Sequence, residues 1–313
     1  MTIRLLALAP SLALLIACGG SQTPIGTLDT RQPAMQRSTT SGGPLLYVVM
    51  GGSHTHMLTY PGFKQVTRIP VWGLSTSNPN NGDVLIGGLA GPVNLYAHGG
   101  TKILHRFGYS SQELIFYDSA FDPTNNAIAI TGNMEFGGAY VYVYQTPTST
   151  PIKYTVPNIR YIEFIGYDGQ GNLFVDGQGS TISSVLAELP KGGNAFMDLT
   201  VAGTINNPGS IQWDGSYITV VSGASIYRLQ ISGSTASIAG QTTLTLAWGR
   251  SGDFWIQGNT VIAPHISDRP HNGRWVGFWH YPAGGRAYKV IKNLSKDQQD
   301  RMISATVSIA PPR

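Results

Sequence analysis

The chain has 313 residues, of which 42% are hydrophobic and only 12% are charged, and its formal net charge is +4. With 39 Gly, 19 Pro and one Cys, the composition excludes a helical bundle, which needs a Glu-, Lys-, Ala- and Leu-rich sequence, and a disulfide scaffold, which needs paired Cys. The small excess of basic residues forms no dense stripe, so no nucleic-acid partner is expected. The 31 aromatic residues supply the apolar area that a folded core needs.

The first 17 residues have the pattern of a signal peptide. Arg4 is their only charge, an apolar run extends from Leu5 to Ile16, and small residues follow. The run is too short for a stable membrane span, and Pro10 interrupts it. We therefore predict a signal peptide over residues 1–17.

The only Cys of the chain follows this segment directly. Leu15-Ile16-Ala17-Cys18 resembles the lipobox of bacterial lipoproteins. That resemblance implies that Cys18 is the first mature residue, carries the lipid, and anchors an exported protein in the bacterial cell envelope, at the outer membrane or another extracytoplasmic face. An ordinary secretory signal with an incidental Cys is the alternative. Residues 18–43 are rich in Gly, Ser, Thr, Gln and Pro, which predicts a flexible tether before a folded domain over residues 44–313.

From Leu45 onward a short β-rich strand that ends in Gly recurs at intervals of 35 to 46 residues. Tight polar turns precede most of these strands, and turns of this kind are strong hairpin signals. The spacing is typical of a four-stranded propeller blade. The six strands end at Gly51, Gly87, Gly132, Gly177, Gly223 and Gly258.

The two ends of the repeat region complement each other. The first repeat lacks an initial strand, and the alternating stretch over residues 303–309 is left over at the other end. We therefore predict an all-β fold, a six-bladed β-propeller of four-stranded antiparallel blades that is closed by the C-terminal strand pairing into the N-terminal blade. Closure removes exposed sheet edges. A β-sandwich is the alternative.

This organisation, over residues 45–309, resembles the six-bladed propellers of the NHL-repeat, gluconolactonase (SMP-30-like) and TolB-like group. The resemblance implies that ligands bind near the central channel, on the face formed by the loops between the second and third strands and between successive blades. Many unrelated activities share such a repeat, so the resemblance bears on fold more than on function.

Most acidic residues are interpreted as structural. Five of the 16 fall in or beside the predicted turns between the first and second strands of a blade, where Asp is a common turn former. These five are Asp83, Asp122, Asp168, Asp214 and Asp253.

A first candidate site combines loops of the first and last blades, which are neighbours in a closed ring. Imidazole and carboxylate are good ligands for a divalent metal, but the spacing matches no named motif, and solvated loop histidines are the alternative. Trp275 and Trp279 flank the last of these loops, where they either pack between blades or line a carbohydrate or peptide surface. The candidate metal ligands are His54, His56, His265, Asp268 and His271.

A second candidate site lies in the third and fourth blades. The gluconolactonase-like group holds a divalent ion with a Glu, an Asn and an Asp from different blades, and Glu163 and Asp176 are the nearest candidates here. The acidic ligand expected near residues 45–48 has no counterpart. The alternative is that Arg160 and Glu163 form a surface ion pair and that Asp176 is a capped carboxylate. With Trp275 from the first site, the candidate ligand-binding residues are Glu135, Arg160, Glu163 and Asp176.

Common catalytic signatures are missing from the sequence. It contains no G-x-S-x-G elbow, H-E-x-x-H, P-loop or Rossmann fingerprint, and lipidation of Cys18 would leave no thiol nucleophile. We therefore predict a monomeric, lipid-anchored binding module for a protein, glycan or small-molecule ligand. A divalent metal is the one cofactor that the residues leave open. The alternative function is a metal-dependent hydrolase or lactonase.

Overall fold

The computed structural model describes residues 42–108, 114–134, 138–179, 184–206, 209–246, 250–266, 275–292, 294 and 301–310. Within these ranges the chain forms β-strands and turns without a helix, so none of the described segments is a helix that could cross a membrane. The predicted signal peptide, Cys18 and nearly all of the tether lie outside the described residues, as do Glu135, Asp268 and His271.

The two ends of the domain share one sheet. It has the order β25-β1-β2-β3, and β25 pairs with β1 from Leu45 opposite Ser308 to Gly51 opposite Arg301. The predicted pairing of the C-terminal strand with the first strand is therefore confirmed. We call this sheet unit 1; its strands are β1 (Leu45–Gly51), β2 (Thr55–Thr59), β3 (Gln65–Ile69) and β25 (Arg301–Ser308).

Units 2 and 3 are four-stranded antiparallel sheets in which consecutive strands are neighbours. Unit 2 contains β4 (Leu74–Ser77), β5 (Val84–Gly87), β6 (Val93–Tyr96) and β7 (Ile103–Phe107). Unit 3 contains β8 (Leu114–Phe121), β9 (Ile128–Met134), β10 (Ala139–Tyr144) and β11 (Ile152–Thr155).

Units 4 and 5 each have four antiparallel strands, but they join into one eight-stranded sheet. The joint is a short parallel pairing in which residues 200–202 of β15 lie opposite residues 235–237 of β19. Unit 4 contains β12 (Ile159–Tyr167), β13 (Leu173–Gly179), β14 (Ser184–Leu189) and β15 (Met197–Ala202). Unit 5 contains β16 (Ile211–Trp213), β17 (Ile218–Ser222), β18 (Ser225–Ser232) and β19 (Thr235–Thr243).

Unit 6 differs from the sequence prediction. Residues 254–258 were expected to form the second strand, but β20 and β21 both pair with β22 and together make an interrupted first strand. The reason is that Gly258 and Asn259, with a positive φ at Gly258, make the two-residue hairpin turn, whereas Ser251-Gly252-Asp253 is a break within the first strand. Its strands are β20 (Arg250–Ser251), β21 (Trp255–Gln257), β22 (Thr260–Ile266), β23 (Trp275–His280) and β24 (Gly284–Lys292).

The first strands of the six units line a common centre. In turn, β25 contacts β4, β4 contacts β8, β8 contacts β12, β12 contacts β16, β16 contacts β21, and β21 contacts β25. Each of the hydrophobic clusters among the described residues fills the space between two neighbouring units. On β1, for example, Leu46 and Val48 face unit 6, whereas Leu45 and Tyr47 face unit 2. The fold is therefore all-β and propeller-like.

Three of the five predicted turn aspartates cap backbone groups of turns between the first and second strands, and Asp83 lies in a fourth such turn. Asp214 Oδ1 accepts hydrogen bonds from the backbone N–H groups of Ser216, at 2.8 Å, and Tyr217, at 2.7 Å. Such bonds satisfy backbone donors that the sheet leaves free. Asp122 and Asp168 accept comparable backbone bonds within their turns, whereas Asp83 Oδ2 accepts from the side-chain amide of Asn81.

Candidate functional site

A cavity of about 310 Å³ lies at the centre of the ring of first strands. Its lining comes from β4, β8, β12, β16, β21, β25 and adjoining residues. Pro79 and Ile309, which are exposed, and Pro123 and Gln257, which are partly exposed, belong to the end where first strands turn into second strands. The cavity thus opens on the face opposite to the one that the propeller resemblance predicts.

Asp118 lies three residues before the end of β8. At a rise of about 3.3 Å per residue, this places it about 10 Å from the end of the cavity that opens at the turns. A bulge between Phe116 and Ser119 displaces this part of the strand, and Thr131 Oγ1 holds it by accepting from Asp118 N–H at 2.9 Å. Asp118 Oδ1 accepts from Ser119 N–H at 2.7 Å, and Oδ2 accepts from Ile165 N–H at 3.1 Å. The carboxyl therefore joins β8 to β12 at the inner part of the cavity.

Asp253 lines the same cavity from the break between β20 and β21. Its Oδ2 accepts from Ser304 Oγ at 2.6 Å, and its Oδ1 accepts from Ser210 Oγ. Ser304 Oγ lies 2.8 Å from Ser75 Oγ, so a chain of hydrogen bonds crosses four neighbouring first strands. The interpretation of Asp253 as a turn former is wrong, because the turn on which it rested is a break inside the first strand.

The two carboxyls share one electrostatic environment. Burial raises the pKa of Asp118 well above its usual range, and the neighbouring charge of Asp253 raises it further. Burial also raises the pKa of Asp253 to about 6, although the hydrogen bonds from Ser210 and Ser304 act in the opposite direction. Among the described residues that line the cavity there is no Lys, Arg or His. At pH 7.5 the ionised Asp253 therefore has no basic side chain among the described lining residues to balance its charge.

Aromatic side chains form much of the remaining wall, and both Trp side chains keep part of their surface exposed. Gly166 permits close approach of the strands here, because a Cβ at this position would lie 2.8 Å from Ile211 Cγ2. Aromatic faces attract cations, especially where water is excluded. The aromatic lining residues are Phe121, Tyr167, Trp213, Phe254 and Trp255.

The predicted histidine site is only partly assembled. His54 Nε2 and His56 Nε2 are 2.9 Å apart, and His56 Nδ1 lies 3.2 Å from Gln65 Oε1. His56 is paired with Val48, whose side chain faces unit 6. His265 stacks on Trp275 at 4.6 Å between ring centroids, and by strand alternation with Ala263 it faces unit 5 instead.

Of the candidate metal ligands, three histidines are among the described residues, and the structure brings two of them together. Two imidazoles offer two metal ligands, but no group of three or more His, Cys, Asp or Glu side chains is placed to hold a metal within the part of the chain that the structure describes.

The predicted carboxylate site is only partly assembled: the charge of Glu163 acts on Asp176, but neither residue lines the central cavity. Arg160 and Glu163 lie near the beginning of β12, away from the turn end where the cavity opens, and Glu163 Oε1 accepts from Gln178 Nε2 at 2.5 Å. Arg160 lies over the ring of Tyr161 at 5.6 Å. Asp176 faces the space between units 4 and 5, where it lines a second cavity. None of the three predicted residues lines the central cavity.

Asp118 and the three serines around Asp253 were missed from the sequence. One signal was present: in the stretch Ile115–Phe121 a carboxylate lies within a strand that is mostly apolar and aromatic. A charge inside a buried strand is rare without a partner or a functional role.

Comparisons with known proteins inform the fold. Neither a family model nor a curated protein matches the chain. A solved protein of unknown function from Bacteroides caccae has 9% sequence identity and a TM-score of 0.62, over 85% of this chain and 99% of that chain. The β-propeller domain of Myceliophteria thermophila Cps50 (Swd1) has 10% identity and a TM-score of 0.49, over 78% of this chain and 81% of that chain. The chain is thus similar in fold, over most of its length, to the Bacteroides caccae protein.

Proposed function

We propose that this protein is a binding module whose central cavity takes a small organic cation. The ammonium group of the ligand lies between Asp118 and Asp253, and its apolar body lies against the aromatic wall. One observation carries this proposal: two carboxyls line a cavity of about 310 Å³ that has aromatic walls and no basic side chain among its described residues.

The geometry favours an ammonium group over other ligands. An anion would add like charge to a site that already disfavours ionisation of its own carboxyls. Ca²⁺ and Mg²⁺ prefer six or more oxygen ligands at short range, whereas this volume corresponds to about ten water molecules at about 30 Å³ each. Each carboxylate has about four lone-pair sites, and the described hydrogen bonds leave some of them for a ligand.

We also propose that the six units are the blades of a closed six-bladed propeller of the NHL-repeat, gluconolactonase-like and TolB-like type. The contacts between successive first strands and the core cluster in each of the spaces between units support this architecture. The eight-stranded sheet then consists of two blades whose outer strands pair in parallel.

A metal-dependent hydrolase or lactonase is the competing function. The observation that favours it is the pair of imidazole nitrogens of His54 and His56, 2.9 Å apart. Catalytic zinc sites have three protein ligands and an open position. A binding module therefore fits the described residues better.

The cation proposal predicts a specific order of affinities. The probes are 2-phenylethylamine, 2-phenylethanol and 3-phenylpropionate, which share a ring and differ in charge. On the whole chain carrying Cys18→Ser, we expect titration calorimetry at pH 7.5 to show binding of the amine, with the alcohol about tenfold weaker or more and no binding of the carboxylate.

Asp253→Asn should weaken amine binding by about tenfold to a hundredfold, because a hydrogen bond to a charged group is lost. Asp176→Asn, in the other cavity, is the matched control and should leave this affinity unchanged. Equal affinity for the amine and the alcohol would contradict the proposal, and so would an unchanged affinity in Asp253→Asn. Tight binding of Ca²⁺ or Zn²⁺ that Asp253→Asn abolishes would favour a metal site instead.

We further propose that lipid on Cys18 anchors the protein in the bacterial cell envelope. The lipobox-like sequence and the Gly- and Ser-rich segment after it support this location. We expect Cys18→Ser to move the protein from the membrane fraction to the aqueous fraction of cells, because the chain then has no acceptor for the lipid. Fractionation followed by detection of the protein measures this change. Unchanged membrane association would contradict the anchor.

A further inference from the structure

A second cavity, of about 420 Å³, lies between units 4 and 5. It shares no lining residue with the central cavity. Seven of its twelve described lining residues are aliphatic, and Asp176 is the charged residue among them. The aliphatic residues are Val185, Leu186, Leu199, Val201, Ile205, Val220 and Leu229.

The cavity is partly open to solvent and is large for a space between two packed units. Protein interiors are close-packed, and voids larger than a water molecule are few. At about 30 Å³ for each water, the cavity has room for about fourteen waters or a similar number of methylene groups. The parallel pairing of β15 with β19 joins the outer strands of the two units into one continuous sheet. The cavity lies between these two joined units.

Asp176 gives the cavity one polar end. It is 1% exposed. Its Oδ1 accepts from Ser184 Oγ at 2.8 Å, and its Oδ2 accepts from Gly209 N–H at 3.0 Å. Burial raises the pKa of Asp176 to about 7, although these hydrogen bonds act against the rise. No Lys, Arg or His is among the described lining residues, so the carboxylate lacks a cationic partner in the cavity.

The cavity has access to solvent at the connection from unit 4 to unit 5. Gly203, Thr204 and Asn206 line it there and are exposed. This connection belongs to the face that the sequence predicts as the ligand-binding face. A long apolar molecule can therefore enter along the aliphatic wall.

We propose that this second cavity binds an aliphatic amine, with the alkyl chain against the aliphatic walls and the ammonium group donating to Asp176. The charge of the one buried carboxyl selects an ammonium over a carboxylate head, and the aliphatic lining favours an alkyl chain. This site is independent of the central cavity.

The test uses octylamine, 1-octanol and octanoate with the whole chain carrying Cys18→Ser, by titration calorimetry at pH 7.5. We expect octylamine to bind, 1-octanol to bind about tenfold more weakly or worse, and octanoate not to bind. Asp176→Asn should weaken octylamine binding by about tenfold or more. Asp253→Asn, which weakens amine binding in the central cavity, is the matched control and should leave an octylamine site of full affinity at Asp176.

A second variant keeps the test decisive if Asp176→Asn does not fold. Val220→Phe fills the cavity while it retains the carboxyl, and it should also weaken octylamine binding by about tenfold or more. No binding of octylamine to the unsubstituted protein would overturn the proposal, and so would full affinity in the folded variants. Loss of octylamine binding in Asp253→Asn alone would assign the amine to the central cavity and overturn the second site. Because each cavity has its own variant, either proposal can fail without the other.

Discussion

Replacing Asp253 with Asn is expected to stabilise the unliganded protein at pH 7.5, by about 1–2 kcal/mol. At this pH the ionised carboxylate destabilises the folded state, because the pKa of Asp253 is about 6 in the folded protein and its ordinary value is 3.8. At about 1.36 kcal/mol per pKa unit, this difference corresponds to about 3 kcal/mol of lost stability. Asn removes that penalty but also disturbs the bonds with Ser210 and Ser304, at a cost of about 1 kcal/mol.

The pH dependence has a definite sign. A carboxyl whose pKa is raised on folding binds protons more tightly in the folded state, so its favourable contribution is complete below pH 4 and is lost as the pH rises through about 6. The pKa of Asp118 is raised as well, so its ionisation also lowers the stability of the folded protein as the pH rises. The free energy of unfolding of the unsubstituted protein should therefore decrease from pH 4 to pH 7.5 at these two sites.

Urea unfolding between pH 4 and pH 8 measures this slope. Asp253→Asn and Asp118→Asn should each flatten it. The double variant should gain less than the sum of the two single gains, because each carboxylate raises the cost of ionising the other. If both Asn variants are instead less stable than the unsubstituted protein at every pH, then the carboxyls serve only to join neighbouring strands, and the case for a cation site fails.

The pH prediction also separates two roles that the geometry combines. Asp118 joins β8 to β12, and Asp253 joins the interrupted first strand of unit 6 to its neighbours through Ser210 and Ser304. Neutral side chains make similar joints elsewhere: Asn133 exchanges two hydrogen bonds with the backbone of Ile162. A neutral amide is thus sufficient to join strands in this fold, which argues that the two carboxyls have a further purpose.

The parts of the fold that depend on local sequence could be predicted. Hairpin turns depend on a few adjacent residues, so the turns at Asp122, Asp168 and Asp214 were recognised from their composition. The C-terminal strand was assigned to the first sheet because one strand was missing at one end of the repeat and one was left over at the other. In unit 6 two turn signals lie seven residues apart, and only pairing with β22 shows that Gly258-Asn259 is the hairpin.

The candidate sites could not be predicted in the same way. The central cavity depends on residues of six strands that are far apart in sequence, and the position of Asp118 depends on a bulge held by Thr131. Asp176 is a candidate ligand from the sequence, and the propeller resemblance places ligand binding near the central channel. The alternation of β13 instead places it on the same side as Phe174, facing unit 5. The space that one face of a strand borders depends on how the units assemble. It cannot be inferred from the spacing of residues along the chain.

Removing the closing strand should have a larger effect than any of these side-chain substitutions. A chain that ends at residue 300 loses β25, which pairs with the whole of β1 and contacts the first strands of units 2 and 6. Ala305 and Val307, which are 0% and 1% exposed, leave the core between units 1 and 6. We expect no cooperative thermal transition and a loss of soluble protein, because the ring is opened and the edge of β1 becomes free to pair with other chains.

A chain that ends at Ile309 is the matched control, since it retains all of β25, and it should unfold cooperatively near the temperature of the unsubstituted protein. Val307→Asp is an intermediate case, in which the strand remains but a charge is buried without a partner, at a cost of about 3 kcal/mol or more. Circular dichroism during heating measures all three. If the chain that ends at residue 300 keeps a cooperative transition near that of the control, closure by β25 is dispensable. The Ser304 hydroxyl that holds Asp253 would then be separable from the stability of the domain.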